Sequence, residues 1–197
     1  MTDILSANYF EIFEVPVTPT TYIETTNYVM KSASEGLSAC IAFMPVHGLM
    51  TAVDDAQFRT VIKEQFDMVC PDGQPVRWAL NIFHHTCLSD RVYGPTFTLH
   101  VLEKAAEIKI PVYFYGSTPE VLKKMKTNLL KQFNGLDIAG MESPPFRALT
   151  PSEYDKAAAR INNSGAKILF IGLGCPKQEF WAASQKGKIF MPMLCVG

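Results

Sequence analysis

The chain has no internal repeat, no low-complexity run and no linker-like stretch of Pro, Gly and Ser. No apolar run approaches the roughly twenty residues that a membrane-spanning helix needs. Residues 1–10 lack the basic-then-apolar layout of a secretory signal. An excess of one charge is also missing: 18 Lys and Arg against 19 Asp and Glu leave a net charge of -1. That balance argues against nucleic acid as a partner, because phosphate affinity needs clustered cations. Cysteine is sparse, and its five copies (Cys40, Cys70, Cys87, Cys175, Cys195) lie far apart with no Cys-x-x-Cys. This spacing supports neither a disulfide framework nor a structural zinc, and it suits a reducing cytoplasm. Asp-x-Asp is absent, and neither His84-His85 nor His47 nor His100 has a carboxylate or Cys at ligand spacing, so no metal is expected.

What the chain does have is core. Hydrophobic residues make up 48% of its 197 positions, with 13 Phe and 9 Met against 19% charged, which excludes a disordered protein. This length fits one domain over residues 1–197. Strand and helix periodicities alternate along it. A strand is expected over 9–17, a helix over 20–35 ending near Gly36, and a buried strand over 37–44. One helix over 48–66 turns Val53, Phe58 and Ile62 inward. A short strand over 67–70 stops at Pro71-Asp72-Gly73, and helices follow over 75–84 and 96–109, the latter with Phe97, Val101, Leu102 and Ala105 on one face. Strands over 111–115, 136–141, 167–173 and 189–196 then alternate with helices over 121–133, 150–164 and 177–186. Ser117-Thr118-Pro119-Glu120 and Thr150-Pro151-Ser152-Glu153 read as capping boxes that open two of those helices. Strands apolar on both faces, alternating with helices, predict an α/β, Rossmann-like fold: a mostly parallel sheet with helices on both faces. Ligands bind such sheets beyond the carboxyl ends of the strands, so the strand-to-helix turns are the places to search.

Three turns hold candidate chemistry. Cys70-Pro71-Asp72-Gly73-Gln74-Pro75 is ordinary turn sequence, yet it also sets the Asp72 carboxylate where a general base can act. Tyr115-Gly116-Ser117-Thr118-Pro119 either caps a helix or turns backbone N–H groups toward an anion such as a diphosphate. Gly172-Leu173-Gly174-Cys175-Pro176-Lys177-Gln178-Glu179 permits close backbone approach, and Lys177 can neutralise phosphate charge. Cys175 sits where a helix N-terminus can lower a thiol pKa, but without a visible partner it reads as a packing residue. Lys177 stands where Gly-x-Gly-x-x-Gly needs its last glycine, and the P-loop ending is missing too. A dinucleotide-dependent oxidoreductase would carry that glycine pattern at its first strand, with an acidic residue about twenty positions on; the sequence has neither.

Taken in order and spacing, four segments resemble the WecG/TagA/CpsF glycosyltransferases. They are Pro71-Asp72-Gly73-Gln74-Pro75-Val76, Arg91-Val92-Tyr93-Gly94-Pro95, Tyr113-Phe114-Tyr115-Gly116-Ser117-Thr118-Pro119, and the run from Ile168 to Glu179. The resemblance runs over about residues 10–197. It implies a bacterial, inverting hexosyltransferase that needs no cofactor or metal. The enzyme would move sugar from a UDP-sugar to a polyprenyl-diphosphate-linked saccharide in exopolysaccharide, capsule or cell-wall polymer synthesis. It would be cytoplasmic and peripheral to the inner face of the plasma membrane. By the same resemblance Asp72 is the catalytic base, Arg91 and Gln178 line the pocket, and Gly116, Gly172 and Gly174 admit the nucleotide sugar, with Ser117 and Lys177 beside them. Helix N-termini and an Arg can stabilise departing UDP without a metal.

Two departures qualify the match. Relatives carry Thr-Pro-Asn or a similar triplet after the second core strand; here Met44-Pro45-Val46-His47 leaves His47 as the substitute sugar contact. Relatives also continue past the equivalent of Gly197 into a basic, amphipathic appendage that supplies arginines and reaches the membrane. The resemblance therefore implies a truncated chain that transfers poorly and binds membranes weakly, with apolar surface near Gly197 available for a homo-oligomer. A catalytically incomplete nucleotide-binding module is the alternative on that ground. Mannosamine-type branches carry Asp-Gly-Tyr-Phe before the helix at Thr150. Ser143-Pro144-Pro145-Phe146-Arg147 at that place favours UDP-glucose over UDP-N-acetylmannosamine as donor.

Overall fold

In the computed structural model, which describes residues 8–197, the chain opens on an antiparallel hairpin of β1 (Phe10–Ile12) and β2 (Val15–Val17) instead of one strand. Phe13 and Glu14 both take positive φ, 51° and 61°, and reverse the chain in a two-residue turn. The expectation about a secretory signal falls mainly on residues 1–7, outside those described. Helix α1 (Tyr22–Glu35) starts from a capping box: Thr21 Oγ1 accepts the Glu24 N–H at 3.3 Å while the Thr21 N–H donates to the Glu24 carboxylate at 2.9 Å. It stops at Gly36, whose φ of 66° a helix cannot continue.

After β3 (Cys40–Met44), the single expected helix is two, α2 (Val46–Asp54) and α3 (Ala56–Gln65). Asp55 breaks it, because its carboxylate accepts the N–H groups of Gln57 and Phe58 and so opens a second helix. The break leaves Val53 exposed, while Phe58 and Ile62 stay buried. The remaining elements fall close to their expected places. They are β4 (Met68–Pro71), α4 (Gln74–His84), α5 (Gly94–Ile108), β5 (Val112–Gly116) and α6 (Pro119–Gln132). Then come β6 (Ile138–Glu142), α7 (Pro151–Asn163), β7 (Ile168–Gly172), α8 (Lys177–Gln185) and β8 (Met193–Cys195). Thr150 and Glu153 form the expected capping box on α7. On α6 the cap is Thr118, which puts Glu120 one position too early for a reciprocal box.

Six strands form one sheet in the order β4-β3-β8-β7-β5-β6, every neighbouring pair parallel, so the α/β, Rossmann-like expectation holds. Alternate side chains feed opposite layers. Phe43, Phe114, Phe170 and Leu194 pack with α1, α5 and α6, including Phe97, Val101, Leu102 and Ala105. Tyr113, Tyr115, Leu169 and Ile171 pack with α7 and α8. Ala42, Met44 and Val69 meet α2, α3, α4 and the hairpin. Each large side chain buried this way contributes about 1.5–3 kcal/mol. The topology also fixes where a ligand can enter. Helix α6 carries the chain from β5 outward to β6, whereas α8 carries it from β7 the other way to β8. Neighbouring β5 and β7 thus send their connections apart, which opens a crevice above their carboxyl ends.

Candidate active site

At that crevice Gly116 and Gly172 are register partners. A Cβ on Gly116 would lie 2.3 Å from the Gly172 carbonyl oxygen, so only glycine lets the two strand ends stay this close. A Cβ on Gly172 would meet nothing within 4 Å. Above the pair lies a cavity of about 470 Å³ lined by Tyr115, Ser117, Gly172, Leu173, Lys177, Phe180 and Trp181 on one side. Pro144 to Leu149, with Tyr154, line the other. Tyr115 and Trp181 stack with centroids 4.3 Å apart and planes 24° apart, forming an aromatic wall. The loop over 143–149 is tied down by Arg147, whose guanidinium donates to both Glu153 oxygens at 2.8 and 2.6 Å. That pairing, with the Thr150 N–H, holds the Glu153 carboxyl down at about 2. An apolar cavity with a few fixed polar groups and two cations in its lining has the makeup of a small-molecule site.

Of the two readings of the β5–α6 turn, its hydrogen bonds favour the helix cap. The Ser117 N–H donates to the Gly172 carbonyl at 3.2 Å. Thr118 Oγ1 accepts the Val121 N–H, and Pro119 has no N–H. The Glu120 carboxyl is held below its ordinary range by its own backbone N–H and the Thr118 hydroxyl. The start of α6 therefore has its donors engaged and an acid beside them. Ser117 still serves the cavity structurally, since its carbonyl accepts the Ser143 hydroxyl at 2.7 Å and anchors the facing loop. Helix α8 begins without a side-chain cap and carries Lys177 as its first residue, although its Gln178 N–H donates to the Gly174 carbonyl and Glu179 stands in its first turn. Lys177 is the cation that the start of α8 brings to the first cavity.

A second cavity, of about 240 Å³, lies along the same edge above β3, β4 and β8. Phe43, Asp72, Tyr93, Gly94, Cys175, Gln178, Cys195 and Gly197 are among its lining residues. Asp72 follows β4 directly; its N–H donates to the Met44 carbonyl at 3.2 Å and its Oδ2 accepts the Gly94 N–H at 3.1 Å. Gly94 is the first residue of α5, whose own cap position, Tyr93, gives no side-chain bond. Asp72 thus caps α5 across the fold. Burial pushes the Asp72 carboxyl above its usual range, opposed by the Gly94 hydrogen bond and the Arg91 charge. Arg91 is outside both linings and stacks its guanidinium 4.6 Å from the Tyr93 ring centroid. Its N–H donates to Asp90 Oδ1, which also accepts Gln74 Nε2 and ties the loop to α4. Gln178 is buried, with Nε2 donating to Glu179 Oε1 at 2.9 Å and Oε1 accepting the Gly197 N–H at 3.0 Å.

The structure gathers Ser117, Gly172 and Lys177 around the first cavity and Asp72 and Gln178 around the second, while Gly116 lies outside both linings as the strand partner of Gly172. Gly174 sits in the turn between them at φ 79°, its carbonyl accepting the Gln178 N–H. His47 lies exposed near the start of α2, in neither lining. His84 stacks on Phe10 at 4.7 Å and His85 closes α4 at φ 53°, both structural roles. Among the described residues no group of His, Cys, Asp and Glu could hold a metal. All five cysteines are free, and burial with the neighbouring Glu179 pushes the Cys175 thiol up to about 12, the opposite of activation.

The sequence reading did not single out Tyr115, Trp181, Gly94 or Glu179 as site residues. All four left a signal. Tyr115, Gly94 and Glu179 stood in the quoted segments, and Gln178, Trp181, Ala182 and Gln185 recur at helical spacing as the buried face of α8.

No helix among the described residues is long and apolar enough to cross a membrane. The glycosyl transferase WecG/TagA/CpsF family model matches residues 10–197, a span that takes in both cavities and every turn named above. With that match over nearly its whole length, the chain belongs to the WecG/TagA/CpsF family of glycosyltransferases.

Proposed function

We propose that the protein is an inverting hexosyltransferase that moves glucose from UDP-glucose to a polyprenyl-diphosphate-linked saccharide. It would work at the inner face of a bacterial plasma membrane, in exopolysaccharide, capsule or cell-wall polymer synthesis. One observation carries the reading: a half-buried carboxylate, Asp72, and a switch-point cavity share one sheet edge, separated by the β7–α8 turn. In this reading the uridine lies against Tyr115 and Trp181, and the diphosphate meets the start of α8 and Lys177. The acceptor hydroxyl enters the second cavity, where Asp72 takes its proton as the oxygen attacks C1 of the sugar. The C1–oxygen bond to UDP breaks as the new bond forms on the opposite face, which inverts the anomeric centre. Negative charge on departing UDP is stabilised by Lys177 and the α8 N-terminus.

The Asp72 environment suits a base. Burial makes the carboxylate more basic, while the Gly94 hydrogen bond and the Arg91 charge act the other way. Donor choice rests on Ser143-Pro144-Pro145-Phe146-Arg147, of which Pro144 to Arg147 line the first cavity. The test is a screen of UDP-glucose, UDP-galactose and UDP-N-acetylmannosamine against a polyprenyl-diphosphate-linked sugar, with and without chelator. Transfer from UDP-glucose, unchanged by chelator, is expected. Preference for the mannosamine donor would overturn the donor assignment, and loss of UDP binding in chelator would overturn the metal-free mechanism.

A further inference from the structure

We propose that Glu179 is a positioning residue, whose buried carboxyl locks the Gln178 amide in the one orientation that serves the Asp72 cavity. The inference rests on the transferase reading above and extends it to a residue that lies outside both cavity linings. A glutamine amide has two N–H donors on its nitrogen and two acceptor sites on its oxygen. In Gln178 one donor goes to Glu179 Oε1 at 2.9 Å, and one acceptor site takes the Gly197 N–H at 3.0 Å. One donor and one acceptor are left for the cavity that Gln178 lines beside Asp72. That pair matches a sugar hydroxyl, which donates and accepts together. Flipping the amide would set its N–H groups against the Gly197 N–H and its oxygen against the Glu179 carboxyl. Glu179 holds the nitrogen end of the amide and the Gly197 N–H its oxygen end, and only the first of these is a side chain that can be replaced.

The placement of Glu179 is costly unless it has such a role. The residue is 2% exposed, and among the described residues its Oε2 has no hydrogen-bond partner. Beside it are the thiols of Cys175 and Cys195. An apolar side chain of similar volume would avoid burying a half-satisfied carboxyl. Burial favours the neutral acid. A carboxyl oxygen accepts the Gln178 N–H whether or not the other oxygen carries a proton, so the lock does not depend on charge.

The test compares Glu179→Leu and Glu179→Gln, each alone and combined with Gln178→Ala. Two readouts are used: kcat/KM with UDP-glucose and a lipid-diphosphate-linked sugar, and the Gln178 side-chain amide signals in a proton–nitrogen NMR spectrum. Glu179→Leu is expected to lower kcat/KM about tenfold, the value of one hydrogen bond near 1.4 kcal/mol. Glu179→Gln restores most of that loss, because its amide oxygen can accept the same bond. With Gln178→Ala neither change has a further effect. In the spectrum, two well-separated Gln178 amide protons collapse toward the exposed-glutamine average in Glu179→Leu and stay apart in Glu179→Gln. Equal losses with and without Gln178, or an unchanged amide pair in Glu179→Leu, would overturn the proposal. Where Glu179→Leu does not fold, fast water exchange of the wild-type Gln178 amide would overturn it. Absence of transfer from every UDP-sugar defeats the transferase reading alone, and the amide signals then decide the role of Glu179.

Discussion

Replacing Asp72 by Asn removes the proposed base and disturbs little around it. The Asn side chain keeps an oxygen for the Gly94 N–H, bonded at 3.1 Å in the wild type, so α5 keeps its cap. It cannot take a proton from a hydroxyl. A positioned base contributes about a hundredfold or more, so transfer falls by at least that factor, ~2.7 kcal/mol of transition-state stabilisation. UDP affinity is unchanged, because Asp72 is outside the lining of the first cavity. Stability moves the other way from the usual mutant. Burial raises the Asp72 pKa, so the folded protein holds that proton more tightly than the unfolded chain does. The stability linked to that proton is full below the unfolded pKa and is lost as pH rises through the folded value. Asn mimics the neutral form, so Asp72→Asn unfolds no more readily than wild type at pH 7. Asp72→Ala instead strips the cap of α5 and loses about 1 kcal/mol. Initial transfer rates, UDP calorimetry and urea unfolding at pH 7 check all three. Wild-type transfer rises with pH as the carboxylate forms, and the residual rate of Asp72→Asn is flat over that range. Transfer by Asp72→Asn within about tenfold of wild type would refute the base assignment and leave Asp72 as a helix cap.

Gly116→Ala should fail to fold or lose several kcal/mol in urea unfolding, on the order of 3 or more, because its Cβ would sit 2.3 Å from the Gly172 oxygen at a φ of 133°. Glu153→Gln should loosen the loop over 143–149 by releasing Arg147, seen as faster proteolysis at that loop and a few-fold weaker UDP binding by calorimetry. Because the Glu153 pKa is lowered to about 2, the wild-type tie is intact above the ordinary carboxyl range and is lost only as pH falls toward about 2; UDP binding by wild type should therefore not weaken through this contact between pH 7 and pH 5.

The sheet and its helices were legible wherever local chemistry and periodicity agreed. Thr150-Pro151-Ser152-Glu153 marked the start of α7, and Phe97, Val101, Leu102 and Ala105 marked the inner face of α5. The reading failed where a polar side chain bonds backbone at a point that periodicity ignores. Asp55 splits one apolar stripe into α2 and α3, and positive φ at Phe13 and Glu14 folds an alternating run into a hairpin. The site was half legible for a related reason. Asp72, Gly116, Gly172 and Gln178 stand in turns whose sequence announces them. The use of the Ser117 N–H by the Gly172 carbonyl depends on which strands are neighbours, and no local pattern carries the order β8-β7-β5. The Tyr115–Trp181 wall and the Gly197–Gln178 bond depend on α8 lying over that same edge.

The central claim, that the crevice between β5 and β7 receives a uridine diphosphate sugar, is tested most directly by calorimetric titration of UDP into wild type and Gly172→Val. A Cβ on Gly172 would meet nothing within 4 Å and Gly172 lines the cavity, so the larger side chain should fill the site without upsetting the fold. Saturable binding of one UDP per chain, abolished in Gly172→Val at an unchanged unfolding midpoint, is the predicted result. UDP that fails to bind wild type, or that binds Gly172→Val equally well, would contradict the account.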